Sequence, residues 1–242
     1  TSFFFGSVSP ESLFFLLAVS VFYLIRKKLF LPAVLLATIA SATRFAGIFL
    51  WPAIIIELWQ QNKTNLKKTL SDPRSVLMLL PPLGLLSFMR FQFLHTGKWI
   101  NFISTQPGFG ANRVVNKLIL LHQVFYRYFR MLTQLSLFTD PIYFTIVLEL
   151  VIMVFFLGLV FHAFKKTRLS YAVFATLSLL VPTLAGTFSS VPKYVLTIFP
   201  AFIVLALFFN KAPKKYQNLY VLVSVILSIV SIALCTRGYF IS

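Results

Sequence analysis

The chain has 242 residues, of which 59% are hydrophobic and only 11% charged, with a formal net charge of +17. A mean hydropathy of +0.89 excludes an ordinary water-soluble domain of this length. The positive charge does not point to nucleic acid, because most basic residues fall in four juxtamembrane clusters: Arg26 to Lys28, Lys63 to Arg74, Lys165 to Arg168, and Lys211 to Lys215.

Lys and Arg in short loops favour the cytoplasmic side, so these clusters set an orientation as well as a class. They also suit anionic lipid headgroups. The expected fold is all-α, a polytopic membrane bundle forming one multi-pass domain over residues 1–242. A helix that crosses about 30 Å of hydrocarbon needs about 20 residues. The first expected crossing runs from Val8 to Ile25, with Pro10 in its first turn, where no backbone donor is lost. The apolar stretch Leu29 to Trp59 has basic flanks at both ends, so it is expected to fold back as a hairpin. Its turn falls near Ser41 to Gly47, with Arg44 at the outer end.

Ser75 to Leu94 is the next expected crossing, broken or kinked at Pro81-Pro82. An external region follows over 95–140. Within it, Leu118, Leu121, Phe125, Tyr128, Leu132 and Leu135 recur at helical spacing, which predicts an amphipathic helix over about 116–135 in the outer interface. Asn116, Gln123, Arg127, Arg130 and Gln134 are expected on its opposite face. Pro141 to Phe164, Leu169 to Phe188, Tyr194 to Phe209 and Leu219 to Cys235 complete about eight crossings. The opening Thr1-Ser2-Phe3-Phe4-Phe5-Gly6 has no basic region ahead of an apolar core, as a signal peptide would. It resembles the middle of a membrane protein, and the expectation is a fragment with an N-terminal part ahead of it.

Candidate chemistry is sparse. The carboxylates are Glu11, Glu57, Asp72, Asp140 and Glu149. Glu57 lies near the cytoplasmic end and is expected to pair with a Lys. Glu149 lies inside a crossing, where an ionisable group faces the bundle interior, and either a Ser, Tyr or Arg partner or a mechanistic role is expected for it. Asp140 reads as a helix cap, and Glu11 as a carboxylate at a helix start. Arg44, Arg113, Arg127, Arg130 and Lys193 all map to the outer side, where guanidinium donors suit phosphate oxygens; for Arg127 and Arg130 headgroup contact and snorkelling are the expected role. His95, His122 and His162 are scattered without metal-ligand spacing. Cys235 is the lone cysteine, so no disulfide forms within the chain. No metal site and no cofactor are expected.

The opening through Ser9-Pro10-Glu11-Ser12-Leu13-Phe14 resembles a motif of the PIG-V-type mannosyltransferases, integral-membrane glycosyltransferases of the GT-C fold. Ser9-Pro10 stands where that family has Tyr-Thr. Ala40-Ser41-Ala42-Thr43-Arg44-Phe45-Ala46-Gly47 is similar to the family's turn between two apolar arms. Gly97-Lys98-Trp99-Ile100-Asn101-Phe102-Ile103-Ser104-Thr105-Gln106, followed by Arg113, resembles a luminal element that has an extra Pro in the family. Ser190-Val191-Pro192-Lys193-Tyr194 resembles a Pro-Arg-Tyr motif, with Lys193 in place of Arg.

The resemblance implies transfer of mannose or a related sugar from a polyprenyl-phosphate donor, on the outer side of a membrane. It assigns Arg44, Arg113 and Lys193 to the donor phosphate, Gln106 to a sugar hydroxyl, and Glu11 to orienting a sugar or a cation. The catalytic base is unknown and is expected in a loop ahead of Thr1. Membrane lipids and the sugar donor are the expected partners, and a bacterial plasma membrane, or the endoplasmic reticulum of a eukaryote, the expected location. A transporter or lipid flippase, with broken helices and intramembrane charge, and a non-catalytic membrane subunit are the alternatives.

Overall fold

The computed structural model describes residues 10–109, 113–114, 117–134 and 141–237. Residues 1–9 of the opening motif, with Gly110, Asn116, Leu135 and Asp140, lie outside them. All regular structure among the described residues is helical: α1 Glu11–Arg26, α2 Phe30–Thr43, α3 Leu50–Gln61, α4 Leu66–Leu70, α5 Arg74–Leu77, α6 Leu80–Thr96, α7 Asn101–Ser104, α8 Leu121–Gln134, α9 Pro141–Lys166, α10 Leu169–Thr183, α11 Val191–Tyr194, α12 Phe199–Phe209 and α13 Lys214–Thr236.

Among the described residues three stretches are long and apolar enough to cross a membrane: Arg74–Thr96, Ile142–Lys166 and Lys214–Thr236. A fourth is reached if Val191–Thr197 and Phe199–Phe209, bent by 79° at their junction, count as one span. The remaining apolar helices are short. At 1.5 Å per residue the 16 residues of α1 reach about 24 Å and the 12 of α3 about 18 Å, less than the hydrocarbon thickness of about 30 Å. Tyr194 to Phe209, expected as one helix, is divided because Pro200 enters the first turn of α12 and has no N–H to continue a preceding helix. The expected break at Pro81-Pro82 falls just before them, with both prolines in the first turn of α6.

Two cores lie side by side. In the first, Phe14, Leu17, Ala18, Val21, Phe22 and Ile25 make one buried face of α1 at three- and four-residue steps. That face packs on α2, whose buried positions Ala33, Ala37, Ala40 and Ser41 are small. Small residues let backbones approach closely in the absence of a hydrophobic drive between helices. The contact with α6 is closer still, since a Cβ on Gly84 would overlap the Thr38 carbonyl. Gly47 is equally confined: a Cβ there would strike the Ala40 carbonyl, which is why the turn after α2 folds tightly back. α3 leaves that hairpin and packs chiefly on α10. The second core joins α8, α9, α10, α11 and α12 around Met153, Leu179, Phe188 and Ile198.

α8 begins at Leu121 and buries Val124 and Tyr128 against the bundle. Arg127, expected on its polar face, points inward and donates from Nη1 to the Gly186 carbonyl at 2.9 Å. The outward face instead carries Tyr126, Phe129 and Arg130, a mixture suited to a membrane interface. α13 stands apart, with Ser231 its single buried residue.

Candidate functional site

The polar residues gather at two ends. At the end expected to face outward, Glu11 opens α1 with its side chain 1% exposed. Arg44 follows the last turn of α2 in extended conformation, φ −149° and ψ 142°. This ends the helix and directs the guanidinium to Glu11, with Nη1 at 2.8 Å from Oε1. Lys193 on α11 brings its Nζ to 3.2 Å from the same oxygen. The Arg44 guanidinium also lies over Phe14 and Tyr194, 5.7 and 5.5 Å from the ring centroids, within cation–π range.

Arg113 has a different environment. It is 9% exposed, and its Nη1 and Nη2 donate to Gln106 Oε1 at 2.5 Å and Ser190 Oγ at 2.9 Å. Both partners are neutral, and no carboxylate lies within ion-pair distance of Arg113 among the described residues. A guanidinium whose hydrogen-bond partners are neutral can also receive an anion, although the buried Glu149 carboxylate already exerts some pull on it from beyond contact distance.

A cavity of about 490 Å³ joins these parts, with Arg44, Gln106, Arg113 and Lys117 in its wall, a size suited to a small-molecule head. Glu11 and Lys193 are not in that wall; Glu11 holds Arg44 and Lys193 together from outside it. Phe45, Phe49, Phe88 and Phe102 form one side. Their rings run in contact, Phe49 to Phe45 at 5.6 Å, Phe45 to Phe102 at 5.4 Å and Phe102 to Phe88 at 6.0 Å between centroids. The series ends on α6, whose outer surface is largely exposed. The cavity wall thus carries both cationic and aromatic side chains.

The segment between α10 and α11 supplies Thr187, Ser189 and Ser190 and is fastened from beneath. Tyr128 Oη donates to Glu149 Oε2 at 2.6 Å, contacts Thr187 Oγ1 at 3.1 Å and accepts the Phe188 N–H at 3.0 Å. Burial first, and the Glu149 carboxylate second, push the ionisation of Tyr128 well above the usual phenol range, so its hydroxyl stays a donor. Ser190 is held at φ 71°, the left-handed region that a residue with a Cβ occupies only under constraint. That conformation aims its hydroxyl at Arg113.

At the opposite end Glu57 is fully buried and takes Arg168 and, at 2.7 Å, the Ser170 hydroxyl, with Arg26 at 3.9 Å. Its partners are arginines, not the expected lysine, because α3 packs against α10 and Arg168 immediately precedes that helix. No three His, Cys, Asp or Glu side chains gather to hold an ion among the described residues.

Glu11, Arg44, Gln106, Arg113 and Lys193, singled out from the sequence, therefore lie at one end in two linked groups. Lys117 and the aromatic lining were missed, whereas Glu149 meets a Tyr, one of the three partner types expected for it. The Phe residues carried no signal in a chain with 29 of them, and Lys117 lies outside the quoted motifs. No family model matches the chain, and neither a curated protein nor a solved structure is similar to it.

Proposed function

We propose that this chain binds a polyprenyl-phosphate-linked sugar and belongs to a membrane glycosyltransferase of GT-C type with about eight traverses. The short apolar helices α1, α2, α3 and α10 would lie in a locally thinned bilayer. Transfer of mannose or a related sugar takes place on the side of the Arg44–Arg113 end, outside the cytoplasm of a bacterium or in the lumen of the endoplasmic reticulum. The observation that carries the reading is Arg113: a buried guanidinium with neutral hydrogen-bond partners, in a cavity whose wall also carries aromatic rings. A lipid-linked sugar phosphate needs that combination, an anion anchor beside an apolar surface for the chain.

In transfer, the acceptor hydroxyl gives up its proton to a general base and attacks the anomeric carbon, the bond from that carbon to the phosphate oxygen breaks, and the polyprenyl phosphate departs with growing negative charge. Arg113, with Lys117 and Arg44, stabilises that charge. Glu11 is a poor base for the acceptor proton, because protonating it weakens its ion pairs with both Arg44 and Lys193. The 79° bend between Val191–Thr197 and Phe199–Phe209 favours a second reading, a lipid flippase, since broken helices mark transport sites.

The test is titration of polyprenyl-phosphate-mannose, polyprenyl phosphate and polyprenol into the purified chain. Both phosphates bind more tightly than the alcohol, and Arg113→Gln weakens them about 10-fold or more, as loss of a charged hydrogen bond requires. Equal affinity for polyprenol and polyprenyl phosphate would overturn the reading. Radiolabelled mannose transferred to an acceptor separates the transferase from a flippase.

A further inference from the structure

The connection between α3 and α5 is more constructed than a linker needs to be. Asp72 closes it, accepting from Asn62 Nδ2 at 3.1 Å and from the Arg74 N–H, Nε and Nη2 at 2.9, 2.9 and 2.6 Å. Asn65 caps α4 by accepting the Lys68 N–H at 3.2 Å, and the buried Thr69 donates back to the Asn65 carbonyl at 2.8 Å. Lys63 and Thr64 both adopt left-handed backbone, φ 55° and 60°. Two consecutive strained residues that are not glycine persist only where the surroundings impose them, and such strain marks functional segments.

What this frame displays is amphipathic. Leu66 and Leu70, one turn apart on α4, are 67% and 78% exposed. Lys63, Lys67 and Lys68 flank them, all exposed. The carboxylates at this end do not neutralise these lysines. Glu57 is occupied by Arg168 and Arg26, and Asp72 by Arg74. Arginines thus serve the protein's own ion pairs, while Lys63, Lys67 and Lys68 make none among the described residues. Candidate span Arg74–Thr96 begins where the loop ends, so Leu66 and Leu70 lie just before the start of an apolar helix.

We propose that residues 63–74 form a docking element for anionic phospholipid headgroups. Leu66 and Leu70 enter the adjoining leaflet, and Lys63, Lys67 and Lys68 bind the headgroup phosphates and carboxylates. The occupant is the bilayer lipid itself, since charge complementarity and continuity with the span both point there. The inference is independent of the sugar-transfer reading and uses no residue of the cavity.

The experiment reconstitutes the full chain, labelled with an environment-sensitive fluorophore at Ser71→Cys in a Cys235→Ser background. Vesicles are phosphatidylcholine alone or phosphatidylcholine with phosphatidylserine. Native mass spectrometry of the same protein counts the phosphatidylserine and phosphatidylcholine it retains. The label shifts to the blue with phosphatidylserine, high salt reverses the shift, and phosphatidylserine is retained preferentially. K63Q, K67Q and K68Q together abolish both signals, each lysine contributing about fivefold, with thermal unfolding unchanged because all three side chains are exposed. Leu66→Ser with Leu70→Ser reduces the blue shift and leaves retention intact. The same signal in both vesicle types, or a triple variant that behaves as wild type, overturns the proposal. So does an acidic protein that shields the label equally well in phosphatidylcholine, which would assign the element to a protein partner.

Discussion

Glu11→Gln tests whether the ion-pair group at the outward end supports the fold. At 2.8 Å from Arg44 and 3.2 Å from Lys193, the carboxylate gains about 6 and about 5 kcal/mol of Coulomb attraction at an effective dielectric of about 20. Burying the charges consumes much of this. The substitution leaves two cations facing each other, with side chains 15% and 26% exposed. Removing one member of a buried pair costs about 3–5 kcal/mol, and the residual solvent access of Arg44 and Lys193 places this case near the lower figure. For a chain of this size, about 3 kcal/mol lowers Tm by roughly 6–12 °C. The assay is thermal unfolding of the purified chain in one detergent at one scan rate. Lys193→Met added to Glu11→Gln should recover part of the loss by removing one of the two like charges. A Tm within about 2 °C of wild type for Glu11→Gln, or a further fall on adding Lys193→Met, would refute the reasoning.

Tyr128→Phe leaves Glu149 Oε2 and the Phe188 N–H without their shared partner and should cost about 1–3 kcal/mol; an unchanged melting temperature would show that the segment above does not depend on Tyr128. The same variant should weaken polyprenyl phosphate more than polyprenol, because the displaced segment carries Ser190 and Arg113 contacts it; equal losses for the two ligands would mean general loosening. The Arg74 side chain, bonded to Asp72, holds the Asp72 carboxyl well below its ordinary value of 3.8. A depressed folded value contributes stability above 3.8 that is lost as pH falls toward the folded value. The wild type should therefore lose thermal stability below about pH 4 more steeply than Asp72→Asn, and parallel profiles would remove the Asp72–Arg74 closure as a source of that stability.

The two-ended arrangement of charge was legible because basic clusters and apolar stretches alternate along the chain, and alternation survives errors in helix boundaries. Helix length was less legible. An apolar run shows what hydrocarbon tolerates, not where hydrogen bonding stops, so Leu169 to Phe188 was too long by the residues after Thr183 and Tyr194 to Phe209 concealed a bend. Arg127 was assigned the wrong face because it lies at the margin of the α8 stripe, where its long side chain can turn inward to a free carbonyl. Glu57 meets Arg168 across a separation of 111 residues, and spacing along one helix carries no information about such a partner. Glu11 and Arg44 were individually visible in short motifs. Their pairing required the close α1–α2 packing that Ala33, Ala37 and Ala40 permit.

Lateral packing in hydrocarbon does little to stop one apolar helix from sliding lengthwise past another, since the surfaces it exchanges are alike. The buried carboxylates act as pegs against that motion. Glu11 pins the start of α1 to the end of α2 and to α11, while Glu57 pins α3 to the start of α10 at the far end. A slip of one helical turn, 5.4 Å, would unmake contacts of 2.8 Å at Glu11 and 2.7 Å at Glu57. The height of Arg44 and Lys193 along the bundle is therefore set by carboxylates outside the cavity wall, and exchanging those carboxylates for apolar residues would let the helices that carry the cavity shift lengthwise without altering a single residue that lines it.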